Sequence, residues 1–215
     1  MRVKLNCITQ PHVGVDNRQM TAEEYIIYAA RVSSDERVNN DTAPKLMNYL
    51  IKHKHWSPFE MISVGIEVET SRAIAQQILR HRSFSFQEFS QRYAAVTDME
   101  PVQLRYQAET NRQSSTDEVT DCAMSDVANI AIEACEDAYQ TLLDAGVAKE
   151  CARMILPLTT QTTVVMHGTL RSWIHFFDQR CSEHAQLEIQ QIAYAARAEI
   201  AKVCPWTASA LDWND

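Results

Sequence analysis

The sequence predicts an α+β fold: a single domain over residues 1–215, with a mixed sheet and long helices. Three observations carry this reading. The chain is long enough for one substantial core, and no internal repeat divides it. Ile62 to Glu69 alternates cleanly, with Ile62, Val64, Ile66 and Val68 on one face and Ser63, Gly65, Glu67 and Glu69 on the other. Helical and strand-like stretches are interleaved, but without the regular strand–helix–strand order of a parallel α/β protein.

Taken in order, Val3, Leu5 and Cys7 alternate with Arg2, Lys4 and Asn6 as a short half-buried strand. Thr21-Ala-Glu-Glu24 has the form of a capping box and opens a helix through Ala30 towards Ser33. Asp41-Thr-Ala-Pro44 starts a second helix, proline suiting its first turn, and it runs to about Lys52. After the strand at Ile62–Glu69, Thr70 or Ser71 caps a helix reaching about His81. Val102, Leu104 and Tyr106 suggest a short strand, and polar Ala108 to Asp121 reads as a mobile loop. Ser125 is expected to begin a long alanine-rich helix that ends near Gly146, a residue suited to a C-cap. A short helix at Cys151–Leu156, a strand at Thr159–Met166 and a helix at Thr169–Arg180 follow. Ser182 is expected to cap the last long helix, which runs to about Val203 before Pro205.

Composition narrows the function. Glycine occurs only at Gly14, Gly65, Gly146 and Gly168, and no Gly-rich phosphate-binding motif is present, so any bound nucleotide must be held by side chains. The net charge of −8 argues against general nucleic-acid binding, which needs basic surface, yet leaves room for a local phosphate pocket. Six scattered cysteines without a C-x-x-C pair indicate neither a zinc knuckle nor a dithiol centre, and read as reduced core thiols. His53 and His55 have no acid cluster beside them, so no metal site is expected. The N-terminal residues lack a signal-peptide run and no stretch reaches the roughly 20 apolar residues of a membrane span, so a cytoplasmic protein with no membrane partner is expected.

One window concentrates chemistry: Arg80-His-Arg82-Ser-Phe-Ser-Phe-Gln-Glu88-Phe-Ser90-Gln-Arg92-Tyr93. On a helix, Gln77, Arg80 and His81 share a face. Guanidinium forks beside hydroxyls and a carboxylate suit a phosphate attached to a hydrogen-bonding base. An isolated Arg-His-Arg would read as a solvated helix end; the interleaved Phe84, Phe86, Phe89 and Tyr93 argue instead that the segment is anchored and its charges partly buried.

Arg80-His-Arg82 followed by seven residues and Ser90 resembles the R-H-R-x7-S signature of flavin-dependent thymidylate synthases. Further blocks resemble that family in order: Ala29-Ala-Arg-Val-Ser33, His53-Lys-His55-Trp-Ser-Pro-Phe-Glu60, Ala152-Arg-Met-Ile-Leu-Pro-Leu158, Arg171-Ser-Trp and Arg180-Cys-Ser-Glu-His-Ala-Gln186. The resemblance implies methylation of deoxyuridine monophosphate (dUMP) with carbon from methylenetetrahydrofolate, hydride through FAD and reduction by NADPH. It also implies a homotetramer with shared active sites. Carried over, it places Gln77, Ile78, Leu79, Arg80, Glu88, Phe89, Ser90, Gln91, Arg92 and Arg153 around dUMP, with Arg180 as the catalytic group at the uracil edge. For FAD it implies Ser33, His55, Ser57, Arg80, His81, Arg82, Ser83, Glu88, Thr169, Leu170, Arg171 and His175. A guanidinium at the uracil O2/N3 edge would stabilise negative charge there without a covalent enzyme bond.

The family often has asparagine where Thr169 and His175 stand, which changes the expected FAD contacts in detail, and Gln87 replaces a smaller polar residue. As a bare pair, Arg171 and His175 would read as surface polar residues, with Trp173, Phe176, Phe177 and Arg180 on the other side of the helix and its aromatics in the core. Cys181 and His184 read as structural. A Ser/His hydrolase using Ser90 and His81 lacks a G-x-S-x-G elbow and an orienting acid. A regulatory nucleotide-binding or RNA-binding module would leave Arg153 and Arg180 without a role.

Overall fold

A computed structural model describes residues 1–12, 14–15, 18–34, 41–96 and 98–213. In chain order, β1 (Arg2–Ile8), the ribbon β2 (Gly14–Val15) and β3 (Arg18–Gln19), α1 (Ala22–Ala30) and α2 (Ala43–Lys52) lead to a 3-10 turn at Ser57–Glu60. Next come β4 (Ser63–Ser71), α3 (Arg72–Ile78), β5 (Phe84–Glu88), β6 (Arg105–Gln107), β7 (Ser115–Glu118) and α4 (Cys122–Asp144). Then α5 (Lys149–Ala152), a 3-10 turn at Arg153–Ile155, β8 (Gln161–Thr169), α6 (Leu170–Arg180), α7 (Leu187–Val203) and α8 (Pro205–Ala210) complete the described chain.

The α+β expectation holds, but the four-stranded sheet, ordered β1-β4-β8-β5, is antiparallel throughout rather than mixed. The reason lies in β4-α3-β5. This unit sends β5 back parallel to β4, and β8 inserts between the two, antiparallel to both. The alternation of β4 places Val64, Ile66 and Val68 in the core, joined by Val164 and Met166 of β8. Helix α6 covers this face with Trp173, Phe176 and Phe177, all buried, and α7 adds Ile189, Ile192, Ala196 and Ile200. Gly168 is required where β8 passes β5, because a Cβ there would meet the Phe84 ring at 2.4 Å.

The capping box of α1 is present: Thr21 Oγ1 accepts from the Glu24 amide, and Glu24 accepts from the Thr21 amide. Buried Glu23 ties α1 to the start of α8, accepting from the Trp206 and Thr207 amides and the Thr207 hydroxyl. Burial nonetheless pushes its carboxyl above the ordinary range, the hydrogen bonds opposing that shift. Gly146, at φ +81°, closes α4 as expected, with Gly146 N–H bonded to Leu143 O and Val147 N–H to Leu142 O.

Several expectations are corrected. In β1 a register shift between Leu5 and Cys7 interrupts the alternation, so Ile8 packs on the core and Cys7 is exposed. Of the six cysteines only Cys204 is fully buried. The helix after Ser71 ends at Ile78, and the chain turns through Arg80 and His81. The polar stretch Ala108–Asp121 contains β7, paired with β6. Helix α4 starts at Cys122 because Asp121, not Ser125, accepts the first-turn amide of Ala123. Ser182 accepts from the His184 amide in a turn, and α7 begins later, at Leu187. Pro205 opens α8 rather than ending the helical run, as proline suits a first turn.

Candidate active site

Helix α6 acts as a ruler along which the segment Gln77–Ser83 runs antiparallel. Near its start, Ser172 Oγ bonds Ser83 O at 3.3 Å. One turn on, the Phe176 ring meets His81 edge-on at 4.8 Å. Another turn on, Arg180 Nε donates to His81 Nε2 at 2.8 Å, and Arg180 Nη2 donates to Gln77 O at 3.2 Å. The i, i+4 spacing of Ser172, Phe176 and Arg180 sets this match. Gln77 also donates to Gln186 Oε1 at 2.7 Å.

Electrostatics follow from that packing. Burial, and then the charge of Arg180, pull His81 down to about 4, so the ring is neutral near pH 7. Burial, and then the like charge of Arg80, lower Arg180 from the ordinary guanidinium value. Cys181, next to Arg180, is raised by burial, which disfavours the thiolate a nucleophile would need.

At the N-terminal half of α6, Thr169 caps the helix by accepting from the Ser172 amide at 3.2 Å. Leu170 is buried, whereas Arg171 and His175 face the turn that follows α2. Arg171 pairs with Glu60, and His175 meets Trp56 edge-on at 5.4 Å. His53 and His55 gather with Tyr49 on the same turn region, the His55 and Tyr49 rings 5.8 Å apart. His55, Ser57, Arg80, Arg82 and Ser83 are exposed. Ser33 is exposed in the turn after α1.

A second group lies at the far end of β5. Glu88 pairs with Arg72 at 3.4 Å and accepts from Thr162 Oγ1 at 3.1 Å. Phe89 is half-buried, its amide bonded to Thr163 O, and Ser90 and Arg92 are exposed in the turn that follows. Gln91 is 4 % exposed, and its Nε2 has no hydrogen-bond partner among the described residues, as is true of Arg72 Nε. Arg92 pairs with Glu150 at 3.4 Å, which puts Arg153, three residues on, at this end as well. The two ends of β5 are separated by about 13 Å of strand rise. Within one chain, then, Gln77, Ile78, Leu79, Arg80 and Arg180 are gathered at one end, and Glu88 to Arg92 with Arg153 at the other. Tyr93, expected to anchor the segment, is 86 % exposed; its amide closes a turn onto Ser90 O and the ring points outward.

Sequence reasoning missed Arg72, Trp56 and Gln186. Trp56 and Gln186 stood inside the quoted family blocks, whereas Arg72 carried no signal beyond its place after Ser71. A concavity of about 440 Å³ between the β6–β7 hairpin and the start of α7 meets these groups at Gln186.

Comparison with known proteins identifies the family. The family described as "Thymidylate synthase complementing protein" matches residues 17–206. A "Probable flavin-dependent thymidylate synthase" of Paramecium bursaria Chlorella virus 1 is 47% identical over 219 residues, covering 99% of this chain and 100% of the relative. A "Flavin-dependent thymidylate synthase" of Synechocystis sp. is 44% identical over 216 residues, with 99% and 100% covered. Among solved structures, the UMP/dUMP methylase PolB from Streptomyces cacaoi, bound with 5-Br dUMP, superposes with a TM-score of 0.82 at 27% identity, covering 98% of this chain and 94% of that one. The chain belongs to the thymidylate synthase complementing protein family, that of the flavin-dependent thymidylate synthases.

Proposed function

We propose that this protein converts dUMP to dTMP, with methylenetetrahydrofolate as carbon donor, FAD as hydride carrier and NADPH as reductant. The observation that carries the reading is the docking of Gln77–Ser83 along α6, which holds the Arg180 guanidinium by two of its nitrogens. A planar cation so held is suited to meet charge that grows on a uracil ring during reaction.

The residues present fit a flavin dinucleotide. Arg82 and Arg171 supply cations for its phosphates, Thr169, Ser83 and Ser57 supply hydroxyls, and His55, His175 and Trp56 supply ring faces and nitrogens. Bound there, FAD would supply hydride to the pyrimidine-bound carbon. The protein's own part is to bind, orient and polarise. Arg80, Arg92 and Arg153 counter the two charges of the nucleotide phosphate. Arg72 and Thr162 fix the Glu88 carboxylate, so that this anion stays away from the phosphate. Arg180 stabilises charge at the uracil edge, and Ser90 binds rather than attacks, having no hydrogen-bonded base among the described residues.

The site is completed by further copies of the chain in a homotetramer. The arginines form two groups at opposite ends of β5, with Arg80 and Arg92 exposed and Arg153 and Arg180 half-buried. Apolar surface accompanies the Arg92 end, where Met154, Leu158 and Tyr93 are exposed, and the N-terminal half of α4 separately exposes Met124, Val127 and Ile130.

The test is direct. Purified protein should carry flavin absorbance, and titration with dUMP should perturb that spectrum at saturable, micromolar-scale concentrations. Colourless protein that neither takes up FAD nor responds to dUMP would overturn the proposal.

A further inference from the structure

We propose that His81 is a positioning residue for Arg180: its imidazole, carrying its one proton on Nδ1, accepts the Arg180 Nε–H and fixes the guanidinium plane. The inference rests on the reading of Arg180 as the uracil-edge group, and it adds to the FAD contact that the family resemblance gives His81.

The chemistry of the pair leaves one arrangement. A guanidinium has five N–H donors and no acceptor, so the 2.8 Å contact requires a bare lone pair on His81 Nε2. The ring must therefore be neutral and protonated on Nδ1. Its surroundings fix the ring plane and keep the ring neutral. Phe176 and Phe84 meet it edge-on, with centroids at 4.8 and 6.4 Å and interplanar angles of 69° and 86°, so the ring plane is set from two sides. The charged group facing it is the Arg180 cation from α6, and a second proton on the ring would meet that repulsion as well as burial.

Arg180 has a second anchor, Nη2 to Gln77 O at 3.2 Å. Two anchors on different nitrogens of a planar group determine its plane and its rotation. Three N–H donors remain, two on Nη1 and one on Nη2, all in that fixed plane. The arrangement places the cost of ordering the arginine in the folded protein, ahead of substrate binding.

The test compares His81→Leu, which removes the acceptor, with His81→Gln, whose amide oxygen can still accept from Arg180. In FAD-saturated enzyme, His81→Leu should slow flavin oxidation by about a hundredfold while the KM for dUMP changes by no more than about threefold. His81→Gln should recover at least about tenfold of that loss. Combining His81→Leu with Arg180→Lys should cost little more than Arg180→Lys alone, because both remove the same positioned donor. Additive losses, a loss borne by KM, or a folded glutamine variant no better than leucine would overturn the proposal.

A separate readout does not depend on turnover. In holoprotein labelled with ¹⁵N-histidine, the His81 ring should show a protonated Nδ1 and a bare Nε2 from pH 6 to pH 9, identified by comparison with His81→Gln. An Nε2-protonated or doubly protonated ring would overturn the proposal, including in the case where His81→Leu fails to fold. If instead the wild-type enzyme forms no dTMP while the tautomer is as stated, the functional reading fails and the positioning contact stands.

Discussion

Replacing Arg180 with lysine separates holding the substrate from promoting its reaction. The guanidinium is tied through Nε to His81 and through Nη2 to Gln77 O, and presents its remaining donors in one plane. A lysine ammonium is a point charge that can satisfy one of those anchors but cannot keep a planar pair of donors towards the substrate. Phosphate-binding arginines act equally on ground and transition states, so their loss appears in KM. In the proposed role Arg180 would meet charge that grows during hydride transfer, so its loss should fall on the chemical step. One lost preorganised donor corresponds to about 3 kcal/mol, or about a hundredfold in rate. Arg180→Lys should fold, bind FAD and still bind dUMP. Rapid mixing of pre-reduced enzyme with dUMP and methylenetetrahydrofolate follows the return of oxidised-flavin absorbance. If the variant oxidises its flavin near the wild-type rate at saturating dUMP, Arg180 is only a binding residue and the mechanism above is wrong.

Three further outcomes are expected. Ser90→Ala should weaken dUMP binding yet retain measurable dTMP formation; complete loss of turnover at unchanged affinity, or a trapped Ser90–nucleotide adduct, would restore the nucleophile reading. Mixed tetramers of Arg180→Ala and Arg92→Ala chains should regain, at dUMP well below saturation, activity that neither variant shows there alone, since the proposed site would draw on opposite ends of β5 from different chains; verified mixed tetramers that stay inactive would contradict shared sites. Hydrogen bonding from Arg18, against an opposing effect of burial, holds the Glu24 carboxyl at about 2 rather than 4.5, so its contribution is present above pH 4.5 and is lost as pH falls towards 2. Glu24→Gln should therefore destabilise the protein by about 2 kcal/mol at pH 7, a figure reduced because half-exposed Arg18 is screened by solvent, and by much less at pH 3. Denaturant melts showing the same gap at both pH values would count against that assignment.

Elements whose signal is local were legible in the sequence. The alternation of β4, the capping box at Thr21–Glu24 and the glycine that ends α4 each depend on a few neighbouring residues, and each stands where expected. Elements decided by pairing or by competing caps were not. Strand β7, Ser115–Glu118, is exposed along its whole length, so it has no apolar face to reveal it and is set by pairing with β6. Asp121 outcompetes Ser125 as a helix cap, and Ser182 spends its hydroxyl on a turn. The alternation of β1 is broken by a bulge whose partner, β4, lies about 60 residues away in sequence. At the site, helical spacing put Gln77, Arg80 and His81 on one face, but the helix stops at Ile78 and the chain turns through Arg80 and His81, so that face does not form. The bond from Arg180 to His81 spans 99 residues and has no sequence signature. The same holds for Arg72 with Glu88, whose contact exists because β5 returns parallel to β4 and brings its far end to the start of α3.

The central claim is that flavin hydride and folate carbon are delivered together to dUMP. A single turnover tests it most directly: anaerobic, pre-reduced enzyme is mixed with dUMP and methylenetetrahydrofolate in the absence of NADPH, quenched at intervals, and analysed for dTMP while flavin absorbance is recorded. The account predicts dTMP appearing in step with flavin oxidation, in equal amounts, and neither event when dUMP is omitted. Flavin that stays reduced, or that oxidises without yielding dTMP, would contradict it.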